Sequence, residues 1–438
     1  MGRVKRAVVV GGGIAGLAAA LHLAESGVKV ILLEGSAQLG GKLRTVDGRE
    51  AGAENFLMRD PAGGPSAAVL LAQELGLGDD IVHPTGVPAG LYLDGALRQL
   101  PTGTMLGIPG PQTDLTGVAE IADADVDTGK PVLPQETDVA VGELVRERLG
   151  DQVVANLVDP LLGGVYAGRA DRLSLAATMP GLHHLLQTEH TLTGAVARVI
   201  NASRAHSKES GPIFGTVQGG LSRLIEAAAQ RLVDLGGDIH YGETVRDLSG
   251  LEADGVVLAI PGGKARRLLP PSVAELLGEL EYASVGLVTL ELPRFELPEL
   301  SGFLVPEGQG VDIKAATFFS QKWAHLQGST VLVRASLGRA GSAEVLQRPD
   351  GALIELARRD LAAVLGGLPE PSRARVDRWG GGLPQYPPGY LAKVAAAREA
   401  LAQSKLVLAG AAYDGIGIPA CVKSGRNAAE GLVQKWST

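Results

Sequence analysis

Gly11, Gly13 and Gly16 have the spacing that lets a backbone turn close against a pyrophosphate. Within GGGIAG, made of Gly11, Gly12, Gly13, Ile14, Ala15 and Gly16, the first glycine permits the tight turn. The second admits the phosphates, and the third lets a helix pack closely on a strand. Eighteen residues beyond Gly16, Glu34 offers a carboxylate that can accept both hydroxyls of a ribose. The same charge disfavours a 2′-phosphate, so the chemistry predicted is binding of a dinucleotide other than NADP.

Those residues need a strand, a glycine turn, a helix and a second strand, in that order. AVVV at 7–10 is a short β-branched run, LAAALHLAESG continues at helical period, and KVILLE ends on Glu34. A phosphate would then meet the partial positive charge of the helix N-terminus. The basic start MGRVKR before this apolar run imitates a secretory signal. Four glycines, His22 and Glu25 interrupt it, and no small-residue cleavage site follows. No other stretch reaches the ~20 apolar residues that span a bilayer, and Arg6 stands where a myristoylation signal needs Ser or Thr.

A chain of 438 residues has room for roughly two to three domains. Hydrophobic content of 45% with 20% charge fits an ordered globular protein. The net charge of −8, without any long Lys and Arg run, argues against a nucleic-acid partner, and an anionic substrate would need a local group of cations. Cys421 is the only cysteine, so no internal disulfide forms, as suits a reducing cytoplasm. It falls near the start of a C-terminal helix, where its pKa would be lowered. A nucleophile, a cofactor attachment point and a small packed thiol are the readings its position leaves open.

The segment 64–205 reads as mainly helical. Its Asp123, Asp125 and Asp127 have EF-hand spacing, but Thr128 and Pro134 replace the glycine and glutamate such a loop requires. His183, His184 and His190 lack an HExxH pattern, so no metal site is expected. A glycine-flanked loop, a helix and a strand into Val245 follow, then a buried strand ending at Ala259-Ile260-Pro261. Residues 282–340 alternate like antiparallel strands. The C-terminus reads as a strand LVLAGAAY, a turn DGIGIP and a helix. The expectation is an α/β fold with a discontinuous Rossmann-like dinucleotide domain of residues 1–63, 206–265 and 375–438. A mainly helical domain (64–205) and an antiparallel-sheet substrate domain (266–374) are inserted in it.

Residues 35–57, GSAQLGGKLRTVDGREAGAENFL, add the pair Gly40 and Gly41, then Lys42 and Arg44, then Gly52, Ala53, Glu54 and Asn55. A β-hairpin with turn glycines is the alternative to a second cofactor motif. The order GGGIAGL, LLE, GGKLRT, GAENFL, VDPLLGGVYAG, LAIP, RWGGGLPQYPPGY, GAAYDGIGIPAC resembles the FAD-dependent porphyrinogen oxidases of heme biosynthesis, over nearly the whole chain. DPLLGGVYAG and LPQY are its most specific parts, and the chain looks most like the soluble Gram-positive type that oxidises coproporphyrinogen III.

The resemblance implies an amine oxidase-like fold, FAD, a porphyrinogen substrate, dioxygen as acceptor and hydrogen peroxide as by-product. It also implies a cytoplasmic protein, with weak membrane association as a variant, and the ferrochelatase of the pathway as a partner. Carried onto this chain, it puts Glu34, Gly35, Gly41 and Lys42 at the ribose and phosphates, and the loop of Gly52, Ala53, Glu54 and Asn55 near the flavin. The Val245 backbone would meet adenine, Trp379 the isoalloxazine, and Arg59 a substrate propionate. The N–H groups of Ile416, Gly417 and Ile418 would face N1 and O2 of the flavin. No acid or base is assigned, because the pyrrole nitrogens drive hydride loss. Protoporphyrinogen IX is the alternative substrate. Other amine oxidase-like flavoenzymes, carotene desaturases and non-enzymatic carriers such as GDP-dissociation inhibitors share related folds.

Overall fold

The computed structural model describes residues 3–207 and 211–437, in two compact units. The first unit gathers residues 3–82, 212–280 and 390–437. Its centre is a five-stranded parallel sheet ordered Asp238–Tyr241, Lys29–Glu34, Arg6–Val10, Gly255–Leu258, Leu406–Leu408. Ala7 to Val10 are all buried, Ala7 and Val9 in the core formed with Ile14–Glu25 and the C-terminal helix, and strands buried on both faces read as continuous apolar runs. The helix Ile14–Glu25 follows the glycine turn, and all its residues except His22 and Glu25 are buried. The apolar run that imitates a secretory signal is therefore a central helix of this unit.

The C-terminal helix Ile418–Ser437 packs on Ile14–Glu25. At the crossing Gly425 lies backbone to backbone with Ala15, and a Cβ there would sit 2.0 Å from the Ala15 carbonyl oxygen. The helix Ala67–Glu74, whose N-terminus is capped by the Ser66 hydroxyl accepting from Val69 N–H, packs on the same C-terminal helix. An Arg426–Glu74 ion pair joins the two. These contacts draw residues 64–82 into the first unit, beyond the boundary expected at 63. Residues 266–280 stay with it as well, because Pro271–Leu277 packs on Tyr390–Ala400.

The second unit holds residues 83–207, 211 and 281–389, so the segments expected to form separate helical and sheet domains share one body. Its seven-stranded sheet is ordered Arg373–Gln385, Glu281–Pro293, Thr330–Leu337, Ala315–Phe318, Gly302–Leu304, Gly90–Leu93, Ala96–Gln99. Two strands thus come from the segment expected to be mainly helical, whose α-helices after Ala67–Glu74 resume only at Val141–Leu149. Residues 375–389 also belong here, since Arg373–Gln385 pairs antiparallel along Glu281–Pro293. One sheet face carries Val288, Leu290, Leu292, Val333 and Ala335 against Leu353, Leu356 and Leu361 of the helix Asp350–Leu365. The opposite face is more polar.

Candidate functional site

The first glycine turn is shaped by contacts that exclude side chains. Gly11 has φ of +108°, and a Cβ on it would lie 2.5 Å from the Ala259 carbonyl oxygen. A Cβ on Gly16 would lie 1.9 Å from the Gly11 carbonyl oxygen. Over Gly13, in contrast, nothing stands within 4 Å of the Cβ position. Gly13 is also the N-cap of Ile14–Glu25, with no side-chain cap and no acidic residue in the first turn. An open approach to an uncapped helix N-terminus is what an anion requires.

Glu34 is held in place by that turn. Its Oε2 accepts from Gly12 N–H at 2.7 Å and its Oε1 from Ser36 N–H at 2.8 Å. Each carboxylate oxygen keeps a further lone pair for a ribose hydroxyl. The segment carrying Val245 lies alongside, because Gly242 N–H donates to Ser36 O and Glu243 N–H to Glu34 O. Gly35 faces Thr244, whose hydroxyl would be 3.1 Å from an added Cβ. Glu34, Gly35 and Val245 are therefore neighbours at one end of the turn.

The second glycine pair packs against the first motif. Gly40 N–H donates to Gly12 O at 2.8 Å, Gly40 bridges Gly13 in parallel fashion, and an added Gly41 Cβ would touch Gly13 Cα at 3.4 Å. A hairpin does follow, Thr45–Val46 with Arg49–Glu50, but Asp47 and Gly48 make its turn. The hairpin alternative accounts for Gly48, whereas the pair itself packs against the first glycine turn. Glu50, which sequence reasoning passed over, is buried and accepts from Leu221 N–H at 2.6 Å and from the Thr45 hydroxyl. It thereby ties the hairpin to the start of the helix Ser222–Asp234. Gly52, Ala53, Glu54 and Asn55 run on without regular structure, the Asn55 amide donating to Glu54 at 3.3 Å. Arg59 is half-buried and its Nη1 donates to Gly63 O at 3.0 Å, within its own loop.

At the C-terminus, the expected strand stops at Leu408; Gly410 turns the chain with φ of +106°, and Ala411–Asp414 is helical. Asp414 anchors the turn that follows. It accepts two hydrogen bonds from Arg398, at 2.8 and 2.6 Å, and one from the Ser424 hydroxyl, whose oxygen also accepts from Gly410 N–H. This anchoring presents Ile416, Gly417 and Ile418 at the start of Ile418–Ser437, a first turn with no acidic side chain.

Lys42 and Cys421 lie close enough to feel each other's charge. Burial pushes the Lys42 amine down, and the thiol partly opposes that. For Cys421 burial outweighs Lys42 and pushes the thiol up to about 11. The direction is opposite to the lowering expected from the helix N-terminus: desolvation of the buried sulfur, with Asp414 adding to it, outweighs Lys42. The Sγ donates to Gly415 O at 3.6 Å and the residue belongs to the apolar core.

In the second unit, Trp379 pairs with Val285 across the sheet and packs on Ala167, Val285 and Leu287. The two most distinctive sequence stretches meet here. Gln385 donates to Tyr166 O at 2.8 Å, the Tyr166 and Tyr386 rings stand edge to face at 6.3 Å, and an added Cβ on Gly168 would strike Gln385 Oε1 at 2.3 Å. Of the aspartates with EF-hand spacing, Asp125 caps the helix starting at Leu192, and Asp127 accepts from Gly129 N–H at 2.7 Å and pairs with His190 at 3.1 Å. His183 hydrogen-bonds Thr137 O at 2.8 Å.

The sequence profile of the flavin containing amine oxidoreductases matches residues 14–433. Among curated proteins, the coproporphyrinogen III oxidase of Mycobacterium leprae is 38% identical over 97% of both chains. The protoporphyrinogen oxidase of Homo sapiens is 31% identical over 98% of both. A crystal structure from an Exiguobacterium species, described as a candidate protoporphyrinogen oxidase, is 30% identical with a TM-score of 0.84, covering 99% of this chain and all of that one.

Proposed function

Because the chain belongs to the flavin containing amine oxidoreductase family and groups with its porphyrinogen oxidases, we propose that it oxidises coproporphyrinogen III to coproporphyrin III in heme biosynthesis. The observation that carries this is the full-length likeness to the Mycobacterium leprae enzyme, supported by the joined DPLLGGVYAG and LPQY stretches. FAD is the cofactor, and when bound it supplies a hydride acceptor. Glu34 and Gly35 take the adenosine ribose, the Val245 backbone the adenine, and Gly11 to Gly16 with Gly41 and Lys42 the pyrophosphate. The loop of Gly52 to Asn55, the N–H groups of Ile416, Gly417 and Ile418, and Trp379 serve the flavin ring. Arg59 takes a propionate.

Each of three turns removes one hydride and one proton from the macrocycle, which makes six electrons in all. The proposal includes dioxygen as acceptor, with one hydrogen peroxide per turn, a cytoplasmic location, and the pathway's ferrochelatase as the enzyme that follows. Among the described residues no helix is long and apolar enough to cross a membrane. The test is an aerobic assay of the purified yellow protein with coproporphyrinogen III and with protoporphyrinogen IX, following porphyrin fluorescence and peroxide. Oxidation of neither sinks the proposal, and a strong preference for protoporphyrinogen IX reverses the substrate.

Two variants probe the cofactor residues. Glu34→Gln keeps the shape but removes the charge that strengthens the hydrogen bonds to Gly12 and to the ribose. Its FAD dissociation constant should rise about 10-fold or more, read by titrating apoprotein with FAD. Cys421→Ser should still bind FAD, and acid denaturation of the wild type should release all the flavin into solution; flavin that stays with the precipitated wild-type protein would show a covalent bond.

A further inference from the structure

The polar face of the seven-stranded sheet is graded from apolar to cationic. Toward one end, Val285 and Leu287 of Glu281–Pro293 join Trp379 and Ala167 in an apolar cluster. Two residues further along the same face comes Thr289, whose neighbours across the sheet are Arg334 on one side and Arg375 on the other. Thr317 continues the row beyond Arg334. Directly opposed residues in neighbouring strands stand about 5 Å apart, within reach of one small anion.

Thr289 is 5% exposed, and its hydroxyl is buried with no hydrogen-bond partner among the described residues. An unpaired buried hydroxyl costs stability, so its retention between two arginines points to a ligand. The guanidiniums are oriented: Arg334 lies 4.7 Å from the Phe319 ring centroid, and Arg375 Nε donates to Asp377 at 2.8 Å. Asp377 and Glu291 share the face, and Arg334, Arg373 and Arg375 outnumber them.

We infer that Arg334, Thr289 and Arg375 form a carboxylate subsite for a propionate that coproporphyrinogen carries and protoporphyrinogen lacks, and that this subsite sets the choice of substrate. The inference rests on the porphyrinogen reading above. Coproporphyrinogen is an apolar ring bearing four propionates, whereas two of these are vinyl groups in protoporphyrinogen. The apolar cluster suits the ring. The two guanidiniums and the Thr289 hydroxyl donate to carboxylate oxygens, a charge-assisted arrangement that a vinyl group leaves unsatisfied.

The test compares holoenzymes of wild type, Arg334→Met and Thr289→Val on both porphyrinogens. Arg334→Met should raise KM for coproporphyrinogen about 10- to 100-fold, the range for a lost hydrogen bond to a charged group. Its kcat, and both constants for protoporphyrinogen, should stay within about twofold of wild type. Thr289→Val, which is isosteric, should raise the same KM without raising the melting temperature. Equal changes on both substrates, or none, overturn the subsite. So does a Thr289→Val protein with a higher melting temperature and unchanged KM, and that variant decides if Arg334→Met does not fold. A wild type that oxidises neither porphyrinogen overturns the functional reading alone. The subsite is then read from coproporphyrin III binding by fluorescence titration, where equal dissociation constants for wild type and Arg334→Met overturn it.

Discussion

Gly425→Ala should yield a protein that is purified with little or no FAD and unfolds at lower urea concentration than the wild type. The added Cβ would stand 2.0 Å from Ala15 O and 3.0 Å from Ala19 N, and both are backbone atoms of a central helix that cannot swing aside. The C-terminal helix must therefore shift bodily off Ile14–Glu25. Overpacking a core costs about 1–3 kcal/mol where side chains can adjust, and here they cannot. On the cofactor placement proposed above, FAD binding should suffer as well, because the N-terminus of the first helix carries the glycine turn and that of the second carries Ile416 to Ile418. Gly431→Ala is the control. It lies in the same helix with nothing within 4 Å of its Cβ position, so it should gain up to about 1 kcal/mol from helix propensity. The flavin-to-protein absorbance ratio and urea unfolding check both variants. Similar behaviour of the two would mean that the close crossing is not what holds the site.

The need for glycine at 425 shows what the sequence could not reveal. Gly11, Gly16 and Glu34 were legible because each acts within about thirty residues of the others, at a spacing fixed by one strand, one turn and one helix. Gly425 answers to Ala15, some four hundred residues away, and nothing in SGRNAAEG marks the partner. The boundary at 375 failed for a similar reason. WGGG has no strand pattern of its own, and only pairing with Glu281–Pro293 makes Arg373–Gln385 a strand. For Cys421 the local signal, a helix start, was read correctly but proved the smaller effect, since its burial depends on residues from distant segments. The row of Thr317, Arg334, Thr289 and Arg375 draws on four strands, so sequence showed each residue but not their convergence.

Lys314→Met should make the protein more stable below neutral pH, with an advantage that shrinks as the pH rises. Lys314 is 4% exposed, its Nζ donates to Gly163 O at 3.2 Å, and the charge that acts on it is that of Arg339. Burial, reinforced by that like charge, pushes its pKa down to about 7 from 10.5. Below pH 7 both the folded and unfolded chains hold the proton, and folding bears the full cost of enclosing the ammonium. Between pH 7 and 10.5 the unfolded chain binds more protons than the folded one, so wild-type stability rises with pH across that window. A shift of this size corresponds to about 5 kcal/mol as an upper figure. Methionine keeps most of the apolar stem and removes only the amine, so the pH-dependent part of the difference isolates the charge. Urea unfolding of both proteins at pH 6 and pH 9.5 measures it, and a difference that does not change with pH would mean the amine is hydrated in the folded protein. The carbonyl it holds belongs to DPLLGGVYAG, at a glycine whose added Cβ would lie 2.9 Å from Arg339 Nη1. The loss of that anchor should therefore appear in activity even where stability improves, because the stretch it supports also carries Tyr166 and Ala167 against Gln385 and Trp379.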